Sequence, residues 1–158
     1  MTSQEVRQFL RDSSKLINQN GTKDWAYRNM YDFVAKEGIE FNVESNFPWI
    51  KGAPSQCFAN AMTLCSFHKN IRYVEGYAFS IAFPMYHAWC IDEEGEVIET
   101  TWDSMGSGYV GVIFPKQYVK KIVAKSGEYS VIDKWKIGWP LLTGEHDYQS
   151  LKKELEVA

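Results

Sequence analysis

Three side chains in this sequence have the types and the spacing for nucleophilic chemistry: Cys57, His87 and a carboxylate at Glu99 or Asp103. Ser55 fits the N-cap of a helix, which puts Cys57 at the second helical position. Unpaired backbone N–H groups and the helix dipole favour negative charge there, so a thiolate nucleophile is expected. The same N–H groups are placed to hold the oxyanion of a tetrahedral intermediate. Gln56, Asn60 and Trp49 are the nearby candidates for a second oxyanion donor. Cys65, two turns further along the helix, and Cys90, within a strand, read as core thiols.

His87 lies in the strand-like run Tyr86-His87-Ala88-Trp89, where alternation places His87 and Trp89 on one face. The turn Glu93-Glu94-Gly95 suits a three-residue hairpin loop with glycine in the left-handed position. That loop pairs Asp92 with Glu96 and, by counting back, Thr101 with His87. Glu99 and Asp103 become the diagonal neighbours on the histidine face. Either carboxylate could accept the second imidazole N–H and fix the tautomer that serves a nucleophile. A register shift of one residue would turn both away.

The elements that must position these groups follow from periodicity. Residues 3–19 read as an amphipathic helix with Val6, Phe9, Leu10, Leu16 and Ile17 on one stripe, and 23–37 as a second helix. Residues 39–54, with two prolines, read as loop with a short strand. A third helix runs from Ser55 to about His68, with Phe58, Ala61, Met62 and Cys65 inward. Runs 71–82, 85–92, 96–103 and 108–114 are rich in aromatic and β-branched residues and read as consecutive antiparallel strands. Pro115 opens a helix to about 125, residues 128–147 fit no single period, and a last helix covers 147–156. Helices followed by a run of strands make an α+β arrangement.

Four strings in order carry a family resemblance: Ser55-Gln56-Cys57-Phe58-Ala59-Asn60-Ala61, Arg72-Tyr73-Val74-Glu75-Gly76-Tyr77, His87-Ala88-Trp89 and Glu99-Thr100-Thr101-Trp102. Together they resemble the transglutaminase-like, papain-like superfamily over about residues 50–114. That family has a helix-borne Cys, a val-x-Gly-Tyr strand, a His-Ala-Trp strand and an Asp-Pro-Thr on the next. The resemblance implies a papain-like fold, with the nucleophile helix packed on an antiparallel sheet. It matches Cys57 to the nucleophile, His87 to the base and Glu99 to the family's Asp, with Asp103 as rival because Glu-Thr-Thr replaces Asp-Pro-Thr. The implied activity is acyl transfer through a thioester, by an amidase, a peptidase or a transglutaminase-type enzyme, on a protein, peptide or small amide substrate. It needs no cofactor and no metal.

At 158 residues, 45% hydrophobic and 23% charged, the chain reads as one globular domain, 1–158. A net charge of −3 argues against a nucleic-acid partner, and Lys116 to Lys125 read as a solvated helix face. No apolar run is long enough to span a membrane, the polar start MTSQEVRQFL does not read as a signal peptide, and three cysteines do not suggest a disulfide scaffold. A cytoplasmic location is the resulting expectation. Two other readings compete: a catalytically silent binding module on the same fold, and a zinc site from Cys65-x2-His68 with His87-x2-Cys90. Strand alternation turns His87 and Cys90 to opposite faces, which weighs against zinc.

Overall fold

Thr2 caps the first helix in a capping box, its hydroxyl accepting from Glu5 N–H while the Glu5 carboxylate accepts from Thr2 N–H. The structure, a computed structural model, describes residues 1–17, 24–41, 43 and 51–157. Helix α1 (Ser3–Leu16) buries Val6 and Leu10 completely, while Leu16 and Ile17, expected on the same stripe, are exposed. Its expected last turn at residues 18–19 lies outside the described residues. Helix α2 (Met30–Glu37) is shorter than the 23–37 expected from periodicity. The Asn29 side chain accepts from Asp32 N–H and starts it there, after bends at 25–29. Strand β1 (Ile39–Phe41) follows.

The remaining strands are β2 (Arg72–Phe79), β3 (Pro84–Ile91), β4 (Val97–Ile98) and β5 (Gly108–Phe114), all paired antiparallel in the order β1-β5-β2-β3-β4. The class is therefore α+β. The sheet is not the simple succession expected, because β5 returns past β4 and β3 to pair with β2. Gly76 stands opposite His87 on one side and Gly111 on the other, in regular pairing rather than a bulge. A Cβ on Gly76 would lie 2.5 Å from the Gly111 Cα, and one on Gly111 would lie 2.6 Å from the Trp89 indole. The two glycines make room for close strands and for that ring.

Each face of the sheet has its own core. One carries Tyr73, Tyr77, Ala88, Cys90, Val110, Val112 and Phe114, covered by the helices. The other packs Phe41, Val74, Ala78, Trp89, Ile91 and Tyr109. After β5 come α4 (Lys116–Ser126), a 3-10 turn at Trp135–Ile137, α5 (Pro140–Thr143) and α6 (Tyr148–Val157). The segment at 131–132 is pinned by the buried Glu75 carboxylate, which accepts from the N–H groups of Val131 (2.9 Å) and Ile132 (2.9 Å) and from the hydroxyls of Tyr73 (2.6 Å) and Tyr86. Among the described residues no helix is long and apolar enough to cross a membrane.

Candidate active site

Helix α3 (Cys57–Phe67) begins one residue later than the sequence suggested. Ser55 does not cap it, because its backbone is left-handed (φ 62°). Gln56 takes the cap position without any side-chain hydrogen bond to the helix. Cys57 is thus the first helical residue, not the second. The N–H groups of Cys57, Phe58 and Ala59 have no acceptor within the helix, since Asn60 N–H makes its first bond, to Gln56 O at 2.8 Å. A capping hydroxyl would occupy one of those donors, and neither Ser55 nor Gln56 places a cap there.

The segment before Cys57 is stitched to residues 99–101. Gly52 N–H donates to Thr100 O (2.8 Å) and Lys51 Nζ to Glu99 O (2.6 Å). The Asn60 side-chain amide donates to Ala53 O and to Thr101 Oγ1, each at 2.9 Å. These bonds draw the start of α3 onto the stretch that carries Glu99.

His87 points from the face of β3 opposite to the one α3 covers. The two meet because β4 pairs with β3 only at Cys90 and Ile91, so that among the described residues the 84–89 edge has no strand partner on that side. Over that edge the Cys57 thiol comes near enough to the imidazole to favour its protonated form. The Nε2 atom lies 3.1 and 3.0 Å from the two Glu99 oxygens, which leaves Nδ1 as the nitrogen that Glu99 does not engage. Trp102 stacks on the imidazole at 3.9 Å between centroids and 11° between planes, and Trp89 lies 6.1 Å away. His87 is only 2% exposed, whereas Cys57 is half-buried.

Glu99 is held by more than His87. It accepts from Thr101 N–H (3.0 Å), Trp102 N–H (3.1 Å) and the Tyr109 hydroxyl (2.9 Å). Burial alone would push the imidazole towards its neutral form, but its bonds to Cys57 and Glu99 and the nearby negative charge outweigh that and push it up to about 9. Burial alone would raise the Glu99 carboxyl; the imidazole and the two backbone N–H donors hold it below its ordinary value instead. A protonated imidazole against an ionised carboxylate is the state these contacts favour.

The structure brings Cys57, His87 and Glu99 together and leaves Asp103 exposed, away from the pair. The register inferred from the Glu93-Glu94-Gly95 turn is the observed one, with Gly95 at φ 82° and Asp92 N–H bonded to Glu96 O at 3.1 Å. The expected strand 96–103 nevertheless stops at Ile98, since Glu99 turns the chain by accepting its own downstream N–H groups. Of the oxyanion candidates, Asn60 has both amide hydrogens engaged, Gln56 is exposed next to Cys57, and Trp49 lies outside the described residues. Tyr109 was not visible from sequence, because only the return of β5 brings its hydroxyl to Glu99.

Of the suggested zinc ligands only the two cysteines meet. The Cys65 and Cys90 sulfurs lie 3.0 Å apart in the core, while His87 serves Cys57 and Glu99 over the other face. Among the described residues no group of three or more His, Cys, Asp or Glu side chains is placed to hold a metal ion. His146 shares a hydrogen bond with the Tyr118 hydroxyl at 2.9 Å. Comparison with known families, curated proteins and solved structures found no match for this chain.

Proposed function

We propose that the protein is a cysteine-dependent acyl-transfer enzyme, an amidase, peptidase or transglutaminase-type catalyst with a Cys57-His87-Glu99 triad on a papain-like arrangement. The observation that supports this reading is the His87 imidazole hydrogen-bonded to the buried Glu99 carboxylate, beside a Cys57 thiol at an uncapped helix start. The Cys57 thiolate adds to an amide or ester carbonyl carbon, and the carbonyl π electrons move onto oxygen. The N–H groups at the start of α3 donate hydrogen bonds to that oxyanion. The tetrahedral intermediate collapses as Nδ1–H of His87 protonates the departing amine or alcohol, leaving a thioester on Cys57. Water or an amine then gives a proton to Nδ1 and attacks the thioester, and the thiolate leaves. Glu99 keeps the proton on Nε2 throughout and compensates the imidazolium whenever Nδ1 is protonated.

The test is alkylation by iodoacetamide with peptide mapping, followed by trapping of acylated protein from lysate. Cys57 is expected to take the label first and Cys65 and Cys90, both buried, only on unfolding. Equal labelling of the three thiols would remove Cys57 from the mechanism. Fast labelling of Cys57 without turnover of any trapped acyl donor would favour a silent binding module.

A further inference from the structure

We propose that the tip of the β2–β3 hairpin, Ile81, Phe83 and Met85, is an apolar subsite of the Cys57 centre, so that the favoured substrates present an aliphatic or aromatic group beside the reacting carbonyl. This rests on the triad reading and narrows it to a substrate class.

Ile81 is 89% exposed, Phe83 59% and Met85 39%. Three large apolar side chains within five positions at the tip of a hairpin are costly to leave in water unless something covers them. The whole hairpin shares this character: from Gly76 to Ile91 there is no Asp, Glu, Lys or Arg, in a chain where 23% of residues are charged. Exposed turns and strand edges are ordinarily protected by charge, and this one is not.

Position identifies the occupant. Met85 lies two residues before His87 on the same strand, so both side chains leave the same face. At about 3.4 Å per residue, Met85 is roughly 7 Å along the strand from His87, and Phe83 lies in the bend just before the strand begins. Beyond His87 in the other direction the face is closed by the fully buried Trp89. The hairpin base is fixed, because Ser107 N–H donates to Phe79 O at 2.9 Å and Phe79 pairs with Pro84. An acyl chain or side chain attached to a carbonyl at Cys57 has a fixed apolar surface to follow towards Met85 and Phe83.

The experiment compares p-nitrophenyl acetate with p-nitrophenyl hexanoate. In each case the Cys57 sulfur bonds to the acyl carbon and p-nitrophenolate leaves, and the rate of Cys57 acylation is followed by release of that ion. Free cysteine under the same conditions gives the intrinsic ratio of the two esters. The wild-type ratio, hexanoate over acetate, is expected to exceed that of free cysteine by at least about tenfold. Ile81→Ser/Phe83→Ser/Met85→Ser should bring it to within about twofold of free cysteine, with Phe83→Ser alone between the two. Should the triple variant not fold, Phe83→Ser decides. A wild-type ratio equal to that of free cysteine, or one that the substitutions leave unchanged, overturns the subsite while Cys57 remains reactive. A dimer that the substitutions dissociate at constant ratio would make the tip a self-association surface and also overturn it. If neither ester nor iodoacetamide modifies Cys57, the triad reading itself fails and takes the subsite with it.

Discussion

Glu99 decides what His87 can do. With the neighbouring Cys57 thiol and the Glu99 charge at 3.0 Å from Nε2 together outweighing burial, the imidazole keeps its proton to about pH 9, and the proton that the proposed mechanism gives to a leaving amine is present throughout the neutral range. The basic limb of kcat/KM should therefore fall near pH 9. Glu99→Gln removes the charge that holds the imidazolium, so that limb should move to lower pH. The substitution also replaces one of the two oxygens that accept from the imidazole, Thr101 and Trp102 N–H and the Tyr109 hydroxyl by an NH2 that cannot accept. Turnover should drop by roughly 10- to 10⁴-fold. Asp103→Asn should change neither limb nor rate, since that side chain is exposed. The pH–rate profiles of the two variants on one trapped substrate separate the candidates, and an inverted ranking would transfer the role to Asp103.

At the scale of elements, the parts legible from sequence were those fixed by local chemistry. The Glu93-Glu94-Gly95 turn set the β3–β4 register, and alternation set which face His87 and Trp89 share. What sequence reasoning missed depends on partners distant in the chain. The start of α3 is fixed by Lys51, Gly52 and Asn60 bonding to residues 99–101, not by a Ser55 cap. The place of β5 beside β2 depends on two facing glycines and the Trp89 ring, which no local period announces. Gly111→Ala tests that packing. Its Cβ would press on the indole at 2.6 Å and on Val74 at 2.7 Å, which should cost about 1–3 kcal/mol. The same change should slow Cys57 alkylation by disturbing the ring that backs His87. The two cysteines of α3 should likewise separate by role. Cys57→Ala should abolish turnover with little change in the melting midpoint, because the thiol is half-buried at the helix start. Cys65→Ala should loosen the core against Cys90 and Ala61 by about 1 kcal/mol. Equal effects of the two on melting and turnover would make Cys57 a structural residue.

At the scale of the whole molecule, the buried charged groups act on stability with different signs, and pH resolves them. Ser3 at the N-terminus accepts from Tyr109 N–H (3.0 Å), and Tyr109 bonds Glu99, so the triad is tied through to α1 and shares the stability of the fold. On the acid side two carboxylates oppose each other. Glu99 is held below its ordinary value, so its contribution is present above that value and lost as pH falls through the folded one. Glu75 is raised by burial despite its hydrogen bonds, so its contribution runs the other way. On the alkaline side His87 dominates the triad. Its folded value is above the ordinary 6.5, so its contribution is fully present below 6.5 and is lost as pH rises through about 9, at most about 3 kcal/mol in all. Lys134, held down by burial, has the opposite sign at high pH, but it is common to wild type and variant and cancels in their difference. The stability gap between wild type and His87→Ala, from urea midpoints, should therefore be largest near about pH 6 and shrink steadily to about pH 10. The cavity left by the substitution is the same at every pH and sets only the residual gap. A gap that stays constant across this range would mean that His87 is neutral in the fold, and the imidazolium–Glu99 pair would have to be abandoned.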